Sequence, residues 1–157
     1  MTSSTPKEMS VELAGMRLAS PLVLLSGCVG FGRVLEALEG FDFSVVGAIC
    51  LKGTTLNPRK GNHPHRIYET PGGMLNAIGL QNPGARSVVE EILPTLSHIP
   101  SALIANISGA TVEEYGEVAR IFDDSPVAAI EINISCPNVK CGGATFGADP
   151  KIAADVV

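Results

Sequence analysis

Tryptophan is absent and charge is thin: 17% of the 157 residues are Asp, Glu, Lys or Arg, against 45% hydrophobic residues and 17 glycines. That balance excludes a disordered or collagen-like chain and suits one globular domain with a single apolar core. Basic clusters are also scarce. The formal net charge is −5 and the Lys and Arg are scattered, apart from Arg59, Lys60 and Arg66, so no surface for nucleic-acid phosphates is expected. That trio reads equally well as part of a solvated loop. No segment reaches the roughly 20 apolar residues of a membrane helix. The uncharged run from Leu18 to Gly32 is broken by Pro21, Gly27, Gly30 and Gly32. The first ten residues lack the basic-then-apolar layout of a signal peptide. Residues 1–9 read as a disordered polar leader, ahead of a domain over 10–157.

The familiar site motifs are missing as well. None of Cys28, Cys50, Cys136 and Cys141 forms a C-x-x-C pair, and no His pair follows at zinc spacing. His63 and His65 stand two apart in a Pro-rich loop with no cysteine nearby, so no metal site is expected. Reduced thiols suit a cytoplasmic protein. There is no P-loop, Gly30 to Gly32 lacks the rest of a dinucleotide fingerprint, and no Ser-His-Asp set can be assembled.

What remains is an alternation. Four short apolar runs, Leu22–Ser26, Val45–Leu51, Ala102–Ile107 and Ala128–Ile134, read as strands buried on both faces. Helical patterns lie between them. Thr111 and Glu114 form a T-x-x-E capping box ahead of a stripe of Val112, Tyr115, Val118, Ala119 and Phe122. Asn82-Pro83 predicts a helix start, with Val88, Val89, Ile92 and Leu96 buried, and Asp149-Pro150 predicts another. A shorter helix is expected from Arg33 to Glu39. Val11–Leu13 and Met16–Leu18 flank Ala14-Gly15 and read as a small hairpin. The order implies a parallel α/β architecture; periodicity alone does not separate a barrel from an open doubly wound sheet.

The stretch from Gly53 to Gln81 is too long for an ordinary connection and reads as an insertion over a binding site, with a short hairpin at Gly72-Gly73. In parallel α/β folds ligands lie at the carboxyl ends of the strands. Here those ends deliver Ser26 and Gly27, then Lys52, then Asn106, then the segment from Asn133 to Asn138. A lysine after an apolar strand often just reaches back to solvent. Beside Gly53 at a strand end, Lys52 reads rather as a cation that meets an anionic ligand or a reduced cofactor. Cys136 sits between Ser135 and Pro137, in a turn that presents a thiol instead of hiding it. Free thiols ionise near about pH 8.5, so such a group can work as a base close to neutrality.

Three segments carry a resemblance. SGCVGFG at Ser26 to Gly32, KGTTLNPRKGNHPHRIYETPGGMLNAIGLQNPG from Lys52 to Gly84, and NISCPNVKCGG at the end of the fourth strand are similar to the class 1B dihydroorotate dehydrogenases. These are the catalytic subunits of the NAD-linked enzyme. The resemblance covers nearly the whole chain after the leader. It implies a TIM (β/α)8 barrel that holds FMN and oxidises dihydroorotate to orotate in pyrimidine (UMP) biosynthesis. Cys136 would be the catalytic base. Lys52 would meet flavin and substrate carboxylate. Asn76, Asn133 and Asn138, with backbone groups of Ile78, Gly79 and Leu80, would hold the pyrimidine, while Ser26, Gly27, Asn106 and Asn133 would line the flavin. The same resemblance implies an electron-transfer partner subunit with FAD and an iron–sulfur cluster, feeding NAD, and a homodimer of catalytic subunits within a heterotetramer. A TIM barrel takes about 250 residues. The expectation is therefore the N-terminal half of a barrel, about four βα units, with the activity of that piece alone left open. Cys141 has no role in this scheme. Two alternatives stand beside it: the related domain of dihydropyrimidine dehydrogenase, which should lack IGLQNPG and NVKCGG, and an inactive scaffold.

Overall fold

The computed structural model describes residues 9–137 and 143–157. The leader expected over 1–9 lies outside that range except for Met9, as do Asn138, Cys141 and Gly142.

The described chain opens on the expected hairpin, β1 (Val11–Leu13) and β2 (Met16–Leu18), with Val11 opposite Leu18. Its two-residue loop takes Ala14 and Gly15 to φ 48° and 79°, the left-handed geometry whose twist suits a tight hairpin. Strands β3 (Val23–Leu24) and β4 (Ala48–Cys50) follow. The long excursion then carries a second hairpin, β5 (Ile67–Thr70) and β6 (Gly73–Asn76), before β7 (Ala102–Ile107) and β8 (Ala129–Ile132). Strands β3, β4, β7 and β8 pair in parallel in that order. The order never reverses, whereas an open doubly wound sheet has a switch point where it does.

Strand β7 has the bounds read from the sequence; the other three core strands are shorter than their apolar runs. Before β4 the Asp42 carboxylate accepts the Ser44 N–H at 2.8 Å and winds Phe43–Val45 into a 3-10 turn. Val46 is therefore buried by packing, without belonging to a strand. Alternation along the strands divides their side chains between two faces. Ile49, Leu51, Ala105 and Ile107 pack outward against helical Val88, Leu93, Leu96, Tyr115, Val118 and Phe122. Each large side chain in such a core stabilises by about 1.5–3 kcal/mol on burial. Ala48, Cys50 and Ile104 point the other way and meet Leu18, so β2 seals the apolar end of the inner face.

The helices, α1 (Ala85–Ser87), α2 (Val112–Asp123), α3 (Ala144–Gly147) and α4 (Pro150–Val156), follow local chemistry to different degrees. Thr111 caps α2 (Val112–Asp123) by accepting the Glu114 N–H at 3.3 Å, and Glu114 reaches back to accept the Ala110 N–H at 2.7 Å. The box thus closes one residue earlier than its usual form. Asp149 caps α4 (Pro150–Val156), accepting from the amides of Lys151 and Ile152. A short helix over Ala144–Gly147 precedes it, which the sequence reading did not separate. The predicted helix over Arg33–Glu39 is a 3-10 helix over Arg33–Ala37. The start expected at Asn82-Pro83 needs correction. Helical structure begins at Ala85, passes through a π-turn over Val88–Ile92, and ends in a 3-10 turn over Leu93–Leu96 that contains Pro94. Proline has no N–H to give to an α-helical ladder. Asn82 accepts the Gly84 N–H, but Gly84 takes φ 91° and ψ 155°, outside the helical region, so the helix is capped at Gly84 and not at Asn82.

Candidate active site

Lys52 follows β4 directly. Its carbonyl accepts the Thr54 hydroxyl at 2.9 Å, and Thr54 continues the sheet pairing by donating its N–H to Asn106 O (2.9 Å) and accepting from Ser108 N (2.8 Å). A side chain on the residue between them would crowd its neighbours. A Cβ on Gly53 would lie 2.8 Å from Asn106 Oδ1 and 3.0 Å from Leu80 Cδ2. Lys52 is thus held at the strand end by backbone pairing on one side and close packing on the other.

The excursion folds back over that strand end through buried Asn82. Its Nδ2 donates to Leu80 O (2.7 Å) and Thr55 Oγ1 (2.9 Å), while its Oδ1 accepts from Thr55 N (3.2 Å) and Gly84 N (2.9 Å). This staple holds Gly79 and Leu80 in left-handed geometry (φ 74° and 54°). Arg59 pairs with Asn82 through the backbone, and Arg66 Nη1 donates to Gln81 Oε1 at 2.6 Å. Two of the three clustered basic residues therefore pin the excursion. The β5–β6 register places Ile67 opposite Asn76 and Glu69 opposite Met74. Ile67, Met74 and Asn76 line the cavity described below, whereas Tyr68 and Leu75, on the alternate positions, do not, although the side chains of both strands are largely exposed.

Cys136 is half-buried in the turn after β8. Its carbonyl accepts the Ala144 N–H at 3.0 Å, and the preceding residue, Ser135, donates its N–H to Asn133 Oδ1 at 3.2 Å. From the outer layer, the Tyr115 hydroxyl donates to Asn133 O at 2.6 Å. Gly147 packs directly on the carbonyl of Ile134 and leaves no room for a side chain.

These elements meet at one cavity of about 440 Å³, lined by Ser26, Gly27, Lys52, Asn76, Ile78, Gly79, Leu80 and Cys136 together with Cys28, Ile67 and Met74. The first eight are residues singled out from the sequence, brought together from four separate segments. An adjoining cleft of about 720 Å³ shares Gly27, Lys52 and Ile78 and adds Arg59 and Lys60. Asn106 and Asn133 are not among the residues lining the smaller cavity; they hydrogen-bond to each other at 3.1 Å on the inner face of the sheet. Asn138 lies outside the described residues.

The inner face also holds residues that the sequence reading passed over. Glu131 Oε1 accepts from Asn106 Nδ2 and, at 3.2 Å, from the Cys50 thiol. Burial first, then the hydrogen bond and charge of Glu131, push the Cys50 thiol up to about 12. The available signal was a single carboxylate inside an apolar run, two residues before Asn133 and so on the same face of the strand. Among the described residues, no group of three or more His, Cys, Asp or Glu is placed to hold a metal, and no helix is long and apolar enough to cross a membrane.

Known proteins share this arrangement of chain and fold. The family model described as dihydroorotate dehydrogenase matches residues 8–157. The catalytic subunit of dihydroorotate dehydrogenase B (NAD(+)) from Geobacillus kaustophilus is 55% identical over 149 residues, which is 94% of this chain and 47% of that protein. The subunit of the same name from Bacillus mycoides is 51% identical, over 94% of this chain and 48% of its own length. The chain thus spans about half the length of the curated relatives it matches. In fold it is similar to the crystal structure of a dihydroorotate dehydrogenase from Eimeria tenella in complex with ferulenol, with a TM-score of 0.62 at 21% identity, over 85% of this chain and 38% of that one. This likeness and the unreversed strand order make the sheet part of an α/β barrel, preceded by an N-terminal hairpin. With a match that runs unbroken from residue 8 to residue 157, the chain belongs to the dihydroorotate dehydrogenase family.

Proposed function

We propose that this chain supplies the reacting base and the pyrimidine side of the site in an NAD-linked dihydroorotate dehydrogenase, which oxidises dihydroorotate to orotate in UMP synthesis. The observation that carries the reading is the meeting of Cys136, Lys52 and Asn76 at one cavity of about 440 Å³. A thiolate, an ammonium and an amide there match a substrate that must lose a proton, carries a carboxylate, and presents ring carbonyls and N–H groups.

In this reading the Cys136 thiolate takes the proton from the carbon next to the substrate carbonyl. A hydride leaves the neighbouring carbon, and a carbon–carbon double bond forms between the two. FMN, when bound, supplies the acceptor for that hydride. The residues suit such a group. Strand ends offer the Ser26 hydroxyl and the Lys52 ammonium, and a Cβ on Gly27 or Gly30 would meet no atom within 4 Å, which leaves that rim open to a flat ring. Lys52 would stabilise negative charge on the ring and on the substrate carboxylate. Asn76 and the backbone of Ile78, Gly79 and Leu80 would hold the pyrimidine, with Asn133 and Asn138 completing its amide contacts. Ser26, Gly27, Asn106 and Asn133 would face the flavin. The partner in this reading is a separate electron-transfer subunit with FAD and an iron–sulfur cluster, acting on NAD in the cytoplasm, with the catalytic subunits paired as a homodimer within a heterotetramer.

The test is an anaerobic visible spectrum of the FMN-bound protein before and after dihydroorotate. The parent bleaches. Cys136→Ser should slow bleaching at neutral pH by about 100-fold or more, in the range for loss of a positioned base. Bleaching at the parent rate in that variant would remove Cys136 from the role. Lys52→Ala should weaken orotate binding; unchanged affinity would refute its contact with the carboxylate.

A further inference from the structure

Glu131 is the one charged residue in β8, and its side chain lies on the inner face with Cys50, Asn106 and Asn133. Four hydrogen bonds connect these residues, and every donor points toward the carboxylate. Ser135 N–H donates to Asn133 Oδ1 at 3.2 Å; Asn133 Nδ2 donates to Asn106 Oδ1 at 3.1 Å; Asn106 Nδ2 donates to Glu131 Oε1; and the Cys50 thiol donates to the same oxygen at 3.2 Å.

An amide side chain can turn end for end and exchange donor for acceptor, but an ionised carboxylate only accepts. With Glu131 at the end of the chain, Asn106 must present Nδ2 to it and Oδ1 to Asn133. Asn133 must then present Nδ2 to Asn106, which leaves its Oδ1 for the Ser135 N–H. The Cys50 thiol, its ionisation pushed up to about 12, stays a donor and is compatible with this direction. Ser135 is the residue before Cys136. The turn is braced from the outer layer by Tyr115 and across its neck by Ala144; Glu131 supplies the brace from inside the sheet.

We propose that Glu131 is a positioning residue: its carboxylate sets the amide orientations of Asn106 and Asn133 and thereby holds the turn that presents Cys136. The functional part rests on the dehydrogenase reading above, whereas the hydrogen-bond part does not.

The experiment separates the two by measuring amide hydrogen exchange at Ser135 without FMN and flavin reduction with FMN bound, for Glu131→Gln and Glu131→Leu. Thermal melting reports whether each variant folds. In Glu131→Leu, Ser135 exchange should rise by about two- to tenfold, the range for losing one neutral hydrogen bond such as that to Asn133 Oδ1. The rate constant for flavin reduction should fall while the KM for dihydroorotate stays close to the parent value. Glu131→Gln keeps one accepting oxygen and the side-chain shape, so its effects should be intermediate; this isosteric change keeps the test available if the leucine variant does not fold. Parent-like Ser135 exchange in both variants overturns the proposal, and equal loss in both supports it, because a Gln side chain that can turn end for end no longer fixes the two amides. A parent protein that dihydroorotate does not bleach sinks the dehydrogenase reading, and faster Ser135 exchange in the variants would then still support the hydrogen-bond part.

Discussion

The outer and inner faces of the four-stranded sheet are built from the same strands, yet they follow different rules. Outward, Ile49, Leu51, Ala105 and Ile107 join one apolar cluster with helical Val88, Tyr115 and Phe122. Inward, apolar packing stops early. Leu18, Ala48, Cys50 and Ile104 fill the end sealed by the hairpin, and beyond them toward the carboxyl ends come Glu131, Asn106, Asn133 and Lys52. Apolar burial is non-directional and is satisfied by volume, whereas a buried amide must find a partner of the right polarity or cost stability. The outer face therefore holds the fold together, and the inner face specifies where groups sit. Substitutions should separate the two.

The largest effect is expected outward. Phe122 is 1% exposed and sits in the outer core with Val118 and Tyr115. Phe122→Ala should cost about 3–5 kcal/mol in urea unfolding, the usual range for emptying a buried aromatic site. Glu131→Gln, an inner-face change without loss of volume, should stay within about 1 kcal/mol, close to the net worth of one hydrogen bond. If the two variants unfolded alike, the division of labour between the faces would be wrong.

The same contrast explains what could be read before the fold was known. Outer-face residues set continuous apolar runs and helical stripes, so Ala102–Ile107 has the bounds read from the sequence and α2 has the expected start and apolar stripe. Thr111 worked as a cap because its partners are three residues away, inside one local window. Asn82 carries an equally good local signal and does accept the Gly84 N–H, but Thr55, 27 residues earlier, shares the side chain and Gly84 stays non-helical. No local pattern contains that competitor. Ser26, Gly27, Lys52 and Cys136 in the cavity lining were legible because such residues at strand ends are costly unless used, whereas Asn76, Ile78, Gly79 and Leu80, from the excursion, followed only from the family resemblance. Glu131 was not, because it was averaged into an apolar run, and its two hydrogen-bonding neighbours, Cys50 and Asn106, come from two other strands whose register only the folded sheet reveals.

An intermediate effect is expected from Cys50, at the boundary of the two inner regions. Its thiol holds its proton to about 12 in the fold, against an ordinary value of 9.0. Above about pH 9 the unfolded chain releases that proton and the folded chain does not, so the unfolded state binds fewer protons. The contribution is complete below about pH 9 and is lost as pH rises toward about 12. Between about pH 8 and about pH 10.5 the parent should lose about 1–2 kcal/mol more than Cys50→Ala, less than the full linkage value because the neighbouring carboxylate is open to solvent. Urea unfolding of both proteins at the two pH values checks this. Parallel pH profiles would mean that the thiol is not held by burial and Glu131.

The smallest effect is expected from Thr111→Ala, and it tests whether the two faces are independent. The capping bond to Glu114 N is long, at 3.3 Å, and exposed, and Glu114 keeps its own bond to Ala110 N. The cost should fall at the low end of the capping range, about 0.5–1 kcal/mol. Helix α2 nevertheless carries Tyr115, whose hydroxyl holds the Asn133 carbonyl one turn from the cap. If the helix end only frays, the dihydroorotate-driven flavin reduction proposed above keeps the parent rate, because Tyr115 is anchored by its buried ring and not by the cap. If the rate falls with the stability, motion at the helix start reaches Cys136 through Tyr115 and Asn133, and the outer layer would then be part of what positions the base.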